Sequence, residues 1–416
     1  MIGSAWWKMA CLILAFAPAA RAADRVSTVD GWIAGHAAAV ESVDPADHDF
    51  ADLAAFGRAV GDRPLVALGE WSHGDARTFD LKARLVAYLH EEKGFDVLFL
   101  ESGLYDASQI WSLAQGGKSV GSQAPDNLFY MYAKSREGQS VLRYVDEART
   151  GPHPLILAGI DAQHSGGLAK DEMPAALDRF LAGRGSALPQ SPGWAGYRTL
   201  VHGLVAFETT VPDAARQQAF FATAAALDAE LCGAQPDAFR FPASPGWWCR
   251  IARSLVAQAR DHWTGTSLRD TEMAENLHWL LEHPYKGRKA ILWAHSVHAD
   301  RIAPWETHGP SMGKVLDGTY HGRYYVADIT VHDGSFLDYA TLKPVPVPSI
   351  VPGSLEAAFA RRGWPFGFVD LAGAPEAVTG GAMRSIDYQY LPITLANAGV
   401  DGLFYIRTAA AAEMIR

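Results

Sequence analysis

Four short apolar runs in this chain each finish on an ionisable side chain. Val-Ala-Leu-Gly ends at Glu70, Val-Leu-Phe-Leu at Glu101, Leu-Ile-Leu-Ala-Gly-Ile at Asp161, and Ala-Ile-Leu-Trp-Ala at His295. Burying an unpaired carboxylate or imidazolium costs several kcal/mol, so a core strand gains nothing from ending this way. Four such ends in equivalent positions point to one shared polar site. After the first run comes Gly69-Glu70-Trp71-Ser72-His73-Gly74. Glu70 and His73, three residues apart in one tight loop, suit a carboxylate that accepts an imidazole N–H. Such a contact fixes the tautomer and raises the basicity of the other ring nitrogen. In that loop Ser72 is also a candidate cap for the helix that follows.

After the fourth run, Trp293-Ala294-His295-Ser296-Val297-His298 places two histidines close together. Three chemistries suit this residue set. His73 can act as a general base on water, with Glu70 orienting it. Alternatively, Glu70, His73, Glu101, Asp161, His295 and His298 offer donors for zinc or iron, although a His-Glu-x-x-His helix is missing. A non-catalytic binding cleft is the third reading, with some of the 13 tryptophans lining it. Ser296 is a poor nucleophile candidate because neither neighbour is glycine, as the Gly-x-Ser-x-Gly elbow requires.

The elements that must position these groups are legible as alternating patterns. Buried-strand runs occur at 64–69, 96–100, 154–160, 289–294, 324–330, 367–371 and 402–407. Helical periodicity occupies 77–93, 173–181, 254–262 and 271–281. Alternation of this kind predicts an α/β fold: a mainly parallel sheet flanked by helices. Its ligand edge lies at the carboxyl ends of the strands. From about 165 to 269 no strand pattern appears, which predicts a helical insertion over those carboxyl ends, with loops at 183–194 and 235–246.

The ordered motifs also resemble a known family. Gly69-Glu70-x-x-His73-Gly74, with Phe79, Lys82, Ala83 and Arg84 following, resembles the opening motif of the erythromycin esterases. Gly159-Ile160-Asp161, Arg269-Asp270-x-x-Met273-Ala274-Glu275-Asn276 and Trp293-Ala294-His295-Ser296-Val297-His298 are similar to later family elements. So are Ser311-Met312-Gly313 and the strand from Asp401 to Ile406. The set covers roughly residues 50 to 408. The resemblance implies a hydrolase, without metal or cofactor, that cleaves an ester or macrolide lactone with an activated water. By position it implies His73, Glu70, Glu101 and His295 as catalytic. Lys82, Arg269, His298, Asp161 and Glu275 are then expected to bind substrate or brace the site. Trp71 and Ser72 depart from the pattern, and nothing in the insertion matches it, so the substrate is left undefined.

The composition bounds the remaining possibilities. The chain has 416 residues, 49% hydrophobic and 20% charged, with a formal net charge of −10. That is ordinary globular composition with a mild acidic excess, which argues against nucleic acid as the partner. Residues 1–22 read as a secretory signal: Lys8, a short apolar core, then Ala20-Arg21-Ala22. The apolar run is shorter than the ~20 residues a membrane span needs, so the expected product is exported and carries no membrane anchor. The remaining cysteines, Cys232 and Cys249, are a plausible disulfide in such a compartment.

Overall fold

The computed structural model describes residues 24–233, 241–301 and 309–415. The expected signal segment lies outside them. Eleven strands are present among the described residues: β1 (Ala37–Val40), β2 (Leu65–Leu68), β3 (Phe95–Gly103), β4 (Ile156–Asp161), β5 (Lys289–Trp293), β6 (Tyr324–Asp338), β7 (Lys343–Pro346), β8 (Phe366–Asp370), β9 (Ala382–Ser385), β10 (Gln389–Thr394) and β11 (Gly402–Ala409). All seven expected strands are among them. The main sheet runs β1-β8-β11-β6-β2-β5-β3-β4, with β7 paired to β6. Every pairing from β11 to β4 is parallel. β8 lies antiparallel to both β1 and β11.

The central strands are apolar because both faces are covered. β2 and β5 expose almost nothing, and Leu65, Val66, Ile291, Leu292 and Trp293 are fully buried. That is the signature of a parallel strand under helices on both sides. The described residues between β4 and β5 hold five helices and a 3-10 turn: Gly167–Gly183, Leu188–Gln190, Trp194–Val205, Ala214–Leu231, Pro245–Thr264 and Arg269–Glu282. Pro245 opens its helix at a position where a missing N–H costs nothing. The expected loop at 235–246 therefore ends two residues early, and 234–240 lie outside the described residues. Cys232 and Cys249 form a disulfide between the helix ending at Leu231 and the one starting at Pro245.

The chain order and the spatial order of the site strands differ. β5 inserts between β2 and β3, so the neighbours across the sheet are β2, β5, β3 and β4. All four point the same way, and their carboxyl ends share one edge.

Candidate active site

β2 ends at Leu68, and the next residues must turn sharply. Gly69 and Gly74 are forced by close approach. A Cβ on Gly69 would lie 1.7 Å from Asp328 Oδ1, and one on Gly74 would lie 1.7 Å from the Leu337 carbonyl oxygen. The helix Ala76–Lys93 that follows is capped by Asp75, which accepts from the Arg77 N–H. Ser72, the expected cap, instead accepts from the Gly74 N–H at 3.3 Å. The chain needs three further residues to turn before it can enter the helix.

Glu70 is fully buried and holds three donors. His73 Nδ1 lies 2.7 Å from Oε1, the Tyr132 hydroxyl donates to Oε1 at 3.0 Å, and Lys82 Nζ lies 2.5 Å from Oε2. Burial alone would raise this carboxyl, but the Lys82 charge and the His73 contact outweigh it and hold it below the usual range. Glu70 is therefore ionised and acceptor-only, so His73 Nδ1 carries the hydrogen. In the neutral ring His73 Nε2 is then the lone-pair nitrogen, and the ring lines the cavity. Burial pulls Lys82 down to about 8 against the opposing charge of Glu70, and its ammonium sits 4.4 Å from the centre of the Trp293 ring.

His295 has the opposite tautomer. Its Nδ1 accepts the Val297 backbone N–H at 3.1 Å, capping the short turn Ser296–Ala299. The hydrogen of the neutral ring must then sit on Nε2. Burial, with His73 next, holds this imidazole well below its ordinary range, so it stays neutral. The His73 and His295 rings meet edge-on with centroids 4.7 Å apart.

Glu101 is a hub with no free oxygen. Oε2 accepts the His295 N–H at 2.7 Å. Oε1 lies 3.2 Å from Arg269 Nη2 and 3.3 Å from His298 Nε2. His298 also places Nδ1 2.8 Å from Asp270 Oδ1. Burial opposes its charge, but Asp270 and Glu101 raise it to about 10, so it is an imidazolium. Arg269 forks onto Asp161, Nε to Oδ1 at 2.9 Å and Nη2 to Oδ2 at 2.6 Å, the bidentate geometry that suits guanidinium and carboxylate.

These groups open onto one cavity of about 640 Å³. Glu101, Asp161, Arg269, His295 and His298 line it, whereas the first strand end, the fully buried Glu70, does not and meets the cavity through His73, which does. Its outer wall includes Phe129, Tyr339, Ile386 and Asp387. Asp387 and Tyr388 hold φ of 51° and 56°, a conformation costly for non-glycine residues that recurs at functional sites. Among the described residues of the 165–269 stretch, Ser165, Asp261, Ser267 and Arg269 reach the cavity.

Two residues expected to bind substrate do not reach the cavity. Lys82 is fully buried behind Glu70 and does not line the cavity, because its side chain is spent on the ion pair. Glu275 is exposed, almost two turns beyond Arg269 on a helix whose other face, Met273, Asn276 and Leu277, is buried. Its charge acts on Arg250 and Arg253 instead. Ser296 is buried and donates to Asp328 at 2.8 Å, away from the cavity. Tyr132, Asp270 and Asp387 belong to the site but were not expected there. Asp270 adjoins Arg269 in a motif already noted, whereas nothing local marks Tyr132 within Phe129-Tyr130-Met131-Tyr132.

Known proteins share this arrangement of elements. A crystal structure of a Bacillus cereus protein superposes with a TM-score of 0.75 at 20% identity, covering 94% of this chain and 99% of that one. An erythromycin esterase mutant in its open conformation gives 0.67 at 19% identity, covering 90% and 98%. Among curated sequences, a Bacillus subtilis (strain 168) protein named as a hydrolase, YbfO, is 28% identical over 387 residues, 85% of this chain and 84% of its own length. The sequence model of the erythromycin esterase family matches residues 90–408, a span that holds Glu101, Asp161, Arg269, His295 and His298 and begins after Glu70 and His73. With more than half its length in that match, the chain belongs to the erythromycin esterase family.

Proposed function

We propose that this protein is an exported hydrolase that cleaves an ester or lactone by adding a water activated at His73. One observation carries the reading: two imidazoles in one cavity are fixed in opposite tautomers, one offering a lone pair and one an N–H. His73 Nε2 takes a proton from water as the oxygen attacks the carbonyl carbon. Glu70, held ionised by Lys82, stabilises the imidazolium that forms. Negative charge developing on the carbonyl oxygen meets the His295 Nε2–H, with the cationic Arg269 and His298 beyond. The tetrahedral intermediate then expels the alkoxide, which takes the proton back from His73 Nε2. Acid and alcohol leave, and the ring regains its resting tautomer.

The donor set favours chemistry without a metal. Both nitrogens of His298, both oxygens of Glu101 and Nδ1 of each remaining histidine are engaged. A cationic guanidinium also sits among the carboxylates. Among the described residues, no three histidine or carboxylate donors of this cavity come close enough together to supply the three protein ligands a catalytic zinc takes. Macrolide lactones are the substrate class to try first, given the family. Incubating the mature protein with macrolides and simple esters, then weighing the products, tests the proposal: gain of one water supports it. Binding without turnover of any ester or lactone favours the non-catalytic cleft, and loss of turnover with EDTA favours a metal.

A further inference from the structure

We propose that Asp328 is a positioning residue that ties together, from beneath the cavity, the two loops carrying His73 and His295. Its kinetic consequence rests on the hydrolytic reading above, whereas its geometric consequence does not. Asp328 follows Ala327, the β6 residue paired with the last residue of β2. It is fully buried and does not line the cavity, so it cannot touch a substrate there. Its two oxygens reach different loops. Oδ2 accepts the Trp71 indole N–H at 2.9 Å, from the loop between Glu70 and His73. Oδ1 accepts the Ser296 hydroxyl at 2.8 Å, from the residue after His295.

The surroundings are shaped for this contact. Gly69 leaves the space that Oδ1 occupies, since any Cβ there would overlap it. Asp300 shares a hydrogen bond with Asp328; burial raises both carboxyls, Asp300 well above its usual range, so Asp300 is the protonated partner of the pair. One carboxylate thus collects an indole N–H and two hydroxyls. Only one direct bond joins the loops above it, the Ser296 N–H to the Glu70 carbonyl at 2.9 Å. A backbone hinge at that bond would let the 4.7 Å ring separation vary, and the Asp328 bridge fixes it from a second point. Misplacement by about 1 Å at a reacting centre costs about 100-fold in rate.

The test compares wild type, Asp328→Ala, Asp328→Asn and Ser296→Ala in the full mature chain. Hydrolysis of p-nitrophenyl butyrate gives kcat and KM, and ¹⁵N NMR of the histidine rings reports tautomer and environment at His73 and His295. Asp328→Ala removes both anchors, so kcat is expected to fall at least about tenfold with KM within about twofold, and the His295 ring signals to move. Asp328→Asn still accepts from Trp71 and offers an N–H to the Ser296 hydroxyl, which can turn to receive it. It is expected to recover most of kcat and the wild-type ring signals. Ser296→Ala, losing one anchor, is expected to fall between. Wild-type kcat and ring signals in Asp328→Ala overturn the proposal, and so does an Asn variant as impaired as the Ala one. If Asp328→Ala does not fold, unchanged ring signals in Ser296→Ala overturn it. If the wild type hydrolyses nothing, the hydrolytic reading fails, and the ring signals of the variants still decide the clamp.

Discussion

Replacing Lys82 by Met removes the one full cation that holds Glu70 ionised while keeping the volume of the side-chain stem. Both partners are fully buried at 2.5 Å, so the variant leaves a carboxylate in the core with only the Tyr132 hydroxyl and His73 for support. Breaking a buried pair this way typically costs 3–5 kcal/mol. At roughly 2.1 cal/mol/K per residue, a 416-residue chain unfolds with an entropy of about 0.9 kcal/mol/K, so Tm should drop by about 3–6 °C. Glu70 would tend to take up a proton, and a neutral carboxyl cannot stabilise the His73 imidazolium. Ester hydrolysis should then fall by about 10²-fold or more, in the range general-base catalysis contributes. The double variant Lys82→Met with Glu70→Leu separates the two effects. With neither charge buried, most of the stability should return, while activity stays lost because nothing accepts the His73 Nδ1–H. Thermal melts by circular dichroism and turnover of p-nitrophenyl butyrate read both quantities. A Lys82→Met protein that melts with the wild type, or a double variant less stable than the single one, would refute this account of the pair.

Three further outcomes are expected. His298 is raised to about 10 in the fold from an ordinary 6.5, so its contribution is full below pH 6.5 and lost as pH rises through about 10. Melts across that window should show stability falling by up to about 1.4 kcal/mol per pH unit, and Asp270→Asn should flatten the slope. Gly74→Ala drives a Cβ into the Leu337 backbone, which has no flexible end to move, so the variant should lose at least about 3 kcal/mol or fail to fold; its melting curve decides. Removing the Cys232–Cys249 disulfide as a double serine variant should cost about 3 kcal/mol, the value for a loop of this length, read as an equal shift under reductant in the wild type.

The strands were legible because parallel strands buried on both faces must be apolar throughout, and the seven runs stand out against polar surroundings. Their carboxyl-end residues were legible for the same reason, since each interrupts an apolar run. The order of the strands was not. Nothing in the runs themselves says that β5 enters between β2 and β3, yet that insertion brings His295 against His73. The strands β1, β7 and β10 escaped notice because they are short and largely exposed or half-buried, and β9 because two of its three buried positions are polar, Arg384 and Ser385. Lys82 and Glu275 show the limit of reading roles by position in a motif. Lys82 is spent on Glu70, and Glu275 has rotated off the buried face of its helix. Tyr132 and Asp328 act across more than sixty and more than two hundred and fifty residues of chain respectively. Contacts at that range leave no local pattern.

The mechanism stands or falls on the Nε2 of a single imidazole. In single-turnover ester hydrolysis at neutral pH, His73→Ala should fold and bind like the wild type but turn over about 10²–10⁴ times more slowly. A folded His73→Ala protein that hydrolyses at the wild-type rate would contradict it.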